Sequence, residues 1–90
     1  MKRLIDALVN TTEPITIIIE GLGFSFTFTS TIVTIEDYID GIELHLQDEN
    51  NFFISTIGNE LMDVDPDGDS TQFILKSLSN EIIRILIANW

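Results

Sequence analysis

Two runs of alternating polarity meet at Asp40-Gly41, and together they constrain the fold more than any other stretch. Ile32-Val-Thr-Ile-Glu-Asp-Tyr-Ile39 precedes the pair and Ile42-Glu-Leu-His-Leu-Gln47 follows it. Side chains on a strand alternate between faces, so each run has one apolar and one polar face. Asp-Gly between such runs favours a two-residue hairpin loop, since a type I′ turn needs positive φ at both central residues. The expected register sets Ile39 opposite Ile42, Tyr38 opposite Glu43 and Glu36 opposite His45. Val33, Ile35, Ile39, Ile42, Leu44 and Leu46 then share a buried face, with Asp37 the misfit. Thr34, Glu36, Tyr38, Glu43, His45 and Gln47 share an exposed, acidic one.

The remaining chain reads as elements that must pack with this hairpin. Met1 to Val9 has helical spacing, with Leu4, Ile5, Leu8 and Val9 on one stripe, Asn10 as a stop and Pro14 preventing continuation. Ile15 to Glu20 is rich in β-branched residues and reads as a central strand. Gly21-Leu-Gly23 turns the chain into Phe24 to Thr29, which places three phenylalanines on one face. The phase slips at Ser30-Thr31, and a turn or sharp bend is expected there. Phe52 to Ile57 is a strand in which one phenylalanine must point away from the buried face. Gly58-Asn59 reads as a type II′ turn, Glu60 to Val64 as a short strand, Asp65-Pro-Asp-Gly68 as a turn and Thr71 to Lys76 as the last strand. Ser77 or Ser79 is expected to cap a C-terminal helix that carries Ile82, Ile83, Ile85, Leu86, Ile87 and Trp90 over a broad apolar arc. The expected fold is α+β: one domain spanning residues 1–90, with an antiparallel sheet of five to six strands and two helices on one face.

Charge placement carries the functional reading. The net charge is −11. Lys2 and Arg3 are followed by no Lys or Arg until Lys76, while Glu36, Asp37, Asp40, Glu43, Asp48, Glu49, Glu60, Asp63, Asp65, Asp67 and Asp69 accumulate between them. Such a chain avoids nucleic acid and anionic membranes and is drawn to basic surfaces. It contains no cysteine, so disulfides and thiolate metal sites are excluded. No apolar run approaches the ~18 residues of a membrane span. An intracellular setting fits these features.

Three groups invite chemistry. Asp63, Asp65, Asp67 and Gly68 match the first half of an EF-hand loop, but Ile74 stands where its bidentate glutamate belongs. The alternatives are a calcium-binding module and a solvated acidic turn, with Asp69 part of either. His45, the sole histidine, reads as a metal or acid–base partner of Glu36 and Glu43 or as a surface cross-strand pair. The phenylalanine run reads as core, since a base-stacking platform needs positive charge beside it. No nucleophile is paired with a base and no phosphate loop precedes a helix, so an enzyme is not expected. Trp90 is either a lid on the core or an anchor for a partner, and the apolar terminal helix, through Ile83, Ile87 and Trp90, suggests a small dimeric structural protein.

In size, acidity, an N-terminal helix leading into antiparallel hairpins and acids clustered on turns, the chain resembles small phage-encoded inhibitors. These include anti-CRISPR proteins that occupy the DNA-binding site of an effector nuclease, and uracil-DNA glycosylase inhibitors. The resemblance covers architecture and charge and rests on no diagnostic motif. It implies a non-enzymatic, cofactor-free, DNA-mimicking inhibitor in the cytoplasm of a phage-infected bacterium, with a basic nucleic-acid-binding protein as partner. Binding would fall to Glu36, Asp37, Asp40, Glu43, Asp48 and Glu49, then to Asp63, Asp65, Asp67 and Asp69. A toxin-immunity protein uses the same physics.

Overall fold

The computed structural model describes residues 1–88 and, within them, every side chain but that of Asp67. One helix, α1 (Lys2–Asn10), is followed by eight strands: β1 (Ile15–Gly21), β2 (Phe24–Ser30), β3 (Ile32–Tyr38), β4 (Gly41–Leu46), β5 (Asn51–Ser55), β6 (Asn59–Asp67), β7 (Ser70–Ser77) and β8 (Ile82–Ala88). They form two antiparallel sheets, one of five strands in the order β2-β1-β8-β7-β6 and one of three in the order β3-β4-β5. Antiparallel pairing and the first helix are as expected, but eight strands in two sheets replace the single sheet of five to six, because the chain bends at Thr31 and again at residues 56–58. The expected second helix is a strand.

That strand, β8, is the centre of the larger sheet, between β1 and β7. Its run Ile82-Ile-Arg-Ile-Leu-Ile87 is short and mostly β-branched. A strand with neighbours on both sides reads as a continuous apolar run, which over a few residues has the same periodicity as a buried helix. The serines expected to cap a helix build a hairpin turn instead. Ser77 Oγ accepts the Glu81 N–H at 3.0 Å, the Ser77 N–H donates to the Glu81 carbonyl at 2.9 Å, and Asn80 adopts φ 65°. Ile85 and Ile87 lie in the core and Ile83 packs against it, so the apolar stretch expected at a dimer interface fills the protomer. Trp90 lies outside the described residues.

One apolar cluster joins the helix and both sheets. Leu4 and Leu8 of α1 meet Ile15, Ile17, Phe73, Leu75, Ile85 and Ile87 from one sheet and Ile42, Leu44, Leu46 and Ile54 from the other. Burying a side chain of this size contributes roughly 1.5–3 kcal/mol. The helix uses three of the four residues of its expected stripe: Leu4 and Leu8 are buried, Ile5 packs against the core and Val9 is exposed. Asn10 closes it by donating from Nδ2 to the Asp6 carbonyl at 2.7 Å.

The β3–β4 hairpin forms with its turn one residue earlier than expected. Tyr38 pairs with Gly41, Asp37 with Ile42, Glu36 with Glu43 and Thr34 with His45, leaving Ile39 and Asp40 as the loop. Gly41 is a strand residue without positive φ, and its need for glycine is steric. A Cβ there would lie 2.4 Å from the Ile54 carbonyl oxygen and 2.5 Å from the Phe53 ring. Moving the turn by one residue changes every partner by two positions, and two is the strand period. The polar and apolar faces therefore survive the shift. Three residues leave the expected buried face. Ile39 is exposed at the tip, Val33 is exposed at a bulge between Ile32 and Thr34, and Asp37 is exposed at the hairpin's end.

Other boundaries also move. Residues 56–58 cross from the small sheet to the large one, so Gly58-Asn59 is no hairpin turn. Asp65, Pro66 and Asp67 extend β6, with the loop at Gly68-Asp69 and Gly68 at φ 60°. Pro66 is tolerated because β6 is an edge strand, where a missing N–H costs no ladder bond. The bend at Thr31 is present, and it sends β2 and β3 into different sheets.

Candidate functional site: the acidic face of the small sheet

Glu36, Tyr38, Glu43 and His45 stand together on the face of the three-stranded sheet turned away from the core. The register brings the two glutamates directly opposite one another. Like charges in that position repel, and exposure to solvent moderates the cost. Tyr38 compensates in part. His45 Nε2 lies 3.3 Å from Glu36 Oε1 and 3.2 Å from Glu43 Oε1 but forms no hydrogen bond with either. The Tyr38 hydroxyl donates a short hydrogen bond to Glu36 Oε2. That bond and the adjacent negative charge push the Tyr38 phenol from 10.0 up to about 12, because the neutral, donating form is held. Phe53, paired with Glu43, points to this face while Phe52 turns inward, which resolves the β5 register. The Phe53 and Tyr38 rings lie 6.3 Å apart.

Glu36, Glu43 and His45 are a possible cation-ligating trio among the described residues, with ligand atoms within 4.8 Å of one another. They are two carboxylates and one imidazole on the outer face of the small sheet.

The other expected binding residues fall elsewhere. Asp40 is at the hairpin tip. Asp37 is on the opposite side of β3, facing a groove that Ile5, Leu8 and Val9 of α1 also line. Asp48 and Glu49 occupy the β4–β5 loop, at the far end of the hairpin from Asp40. There Asp48 accepts from Asn50 Nδ2 at 2.9 Å, which with further hydrogen bonds lowers its carboxyl below the ordinary range, and Glu49 takes φ 69°. Asp63 and Asp65 belong to edge strand β6 of the larger sheet, and Asp69 to the loop after it. The expected calcium loop is thus mostly strand. Successive carboxylates on one strand face stand about 6.6 Å apart and do not wrap around an ion. Because the two sheets share a core, their outer faces diverge, and the acids form separate groups in place of one continuous surface.

Neutralising charge is concentrated on the other sheet. Arg84 Nε donates to Glu20 Oε1 at 2.7 Å on the outer face of β1 and β8. Among the described residues this is the only pair between a carboxylate and a Lys or Arg. Sequence reading missed Phe53 as a member of the acidic face, because the alternation at Phe52-Phe53 does not say which ring turns inward. It also missed the exposure of Phe24 and Phe26, which lie on the core-facing side of β2 but extend past the core. No protein-family profile matches this chain, and neither curated proteins nor solved structures give a match. Among the described residues no helix is long and apolar enough to cross a membrane.

Proposed function

We propose that this protein is a non-enzymatic inhibitor that docks the acidic face of its small sheet onto a basic nucleic-acid-binding protein, with a CRISPR effector nuclease as the favoured class of target. The observation that carries the reading is the pairing of Glu36 with Glu43 on an open face without a Lys or Arg partner. Two opposed carboxylates are held in place at a cost in repulsion, and a basic partner would relieve that cost. Tyr38 and Phe53 beside them add rigid aromatic area of the kind that anchors protein interfaces. Mimicry here is local. Duplex DNA presents one charge per ~1.7 Å of axis, and a strand face presents one per ~6.6 Å. The face therefore imitates a few phosphates and leaves specificity to its aromatic residues.

The test is inhibition of DNA binding by a Cas9-type effector, measured across a salt series. Wild-type protein is expected to inhibit most strongly at low salt, and the Glu36→Lys/Glu43→Lys double variant to lose inhibition. Asp63→Lys/Asp65→Lys, on the other sheet, is expected to retain it. Inhibition indifferent to salt and to the first double variant would overturn the proposal.

A further inference from the structure

A second recognition feature lies at the far end of the hairpin from the Asp40 tip. Phe26 and Phe28 of β2, Phe52 of β5 and the β4–β5 loop enclose a cleft of about 350 Å³. The rings of Phe26 and Phe28 are 5.6 Å apart and those of Phe28 and Phe52 are 5.8 Å apart, the latter edge to face. Phe26 remains 57% exposed although Phe28 beside it packs on the core. Asp48 and Asn50 stand at the same cleft. The Asp48 carboxylate accepts only from neutral groups: Asn50 Nδ2 at 2.9 Å, and Ser30 Oγ and the Asn50 N–H at 3.4 Å. A carboxylate has about four acceptor sites, so capacity remains for a charged donor.

We propose that this cleft seats an arginine side chain of a protein partner, with the guanidinium against the phenylalanine rings and paired with Asp48. Ring faces attract cations, and a planar guanidinium stacks on them while donating one N–H to the remaining acceptor site of the carboxylate. A neutral apolar occupant would leave Asp48 unused, and a phosphate would be repelled by it. The inference rests on the reading of a basic protein partner and supplies it with an anchor outside the Glu36–Glu43 face.

The probe is N-acetyl-arginine methylamide, titrated into the intact protein with aromatic and amide NMR signals followed. The neutral citrulline analogue is the control. Saturable millimolar shifts are expected at Phe26, Phe28, Phe52 and Asn50 with arginine and none with citrulline. Asp48→Asn should weaken binding about tenfold or more, as for loss of a hydrogen bond to a charged group. Phe26→Ala, at a ring outside the buried core, should weaken it as well. Equal response to citrulline, no effect of Asp48→Asn, or shifts confined to Glu36 and Glu43 would each overturn the cleft. Such a result alongside charge-sensitive inhibition of the effector removes the cleft and leaves the acidic face standing. Inhibition that ignores Glu36 and Glu43 removes the acidic face, whatever the NMR titration shows.

Discussion

The outer faces of the two sheets solve the same problem differently. Both sheets bury their inner faces in one core, so each must meet water with the other side. The large sheet does so with threonines, half-exposed Ile18, Ile74, Ile82 and Leu86, and a carboxylate matched to a cation in Glu20–Arg84. The small sheet presents two opposed glutamates, one of which accepts a hydrogen bond from a phenol. On the first sheet the Glu20 carboxylate meets a cation; on the second, the carboxylates of Glu36 and Glu43 meet each other.

That shared core is the part of the comparison most open to attack. Leu44→Ala in the small sheet and Ile85→Ala in the large one are each expected to cost about 2–5 kcal/mol, as for buried aliphatic truncations. Both should show a single urea unfolding transition. A separate early transition in Leu44→Ala would mean that the small sheet folds independently. Next in size, Gly41→Ala is expected to cost about 1–3 kcal/mol, since its Cβ would collide with the Ile54 carbonyl. Gly23→Ala, with φ 85° and open space around it, should cost about 1–2 kcal/mol from backbone conformation alone. Denaturation midpoints that reverse this order would place the close approach elsewhere.

The sharpest contrast is one of sign. Glu43→Gln removes a like-charge pair and should stabilise by roughly 0.2–1 kcal/mol. Glu20→Gln breaks the exposed pair with Arg84 and should destabilise by less than about 1 kcal/mol. Thermal melts of the two variants read this directly, and shifts in the same direction would erase the distinction between the faces. The smallest effect is spectroscopic. Tyr38 is the only tyrosine, so its ultraviolet titration is unambiguous. Its pKa is raised in the folded state, so the stabilisation from its bond to Glu36 is complete below pH 10 and lost as pH rises through about 12. Glu36→Gln should bring the midpoint back toward 10. An unchanged midpoint would show that the phenol does not donate to Glu36.

These contrasts also mark what was legible in the chain. The acidic and apolar faces of the hairpin could be read from alternation alone, and they survived a misplaced turn because strand parity tolerates a shift of two. The turn itself could not be read, since Gly41 answers to the Ile54 carbonyl, a contact distant in sequence. The stretch Ile82–Ala88 was ambiguous because a buried central strand and a buried helix share the same apolar run. The Asp65 to Gly68 segment looked like a turn because proline and glycine punctuate it, yet an edge strand admits proline. Convergence of the acids was beyond reach, because it depends on which sheet each strand joins. That choice is made by long-range pairing.

Pro66 has a consequence for how the molecule behaves in a crowd. An edge strand offers a row of unpaired donors and acceptors to other chains. Along β6 one donor is missing and the carboxylates of Asp63 and Asp65 point outward, so an incoming strand meets a gap in the ladder and a negative field. Edge-to-edge growth is closed on that side. The opposite edge, β2, has no proline or charge and exposes Phe24 and Phe26. The large sheet is therefore asymmetric in its protection: an added strand meets fewer obstacles at β2 than at β6.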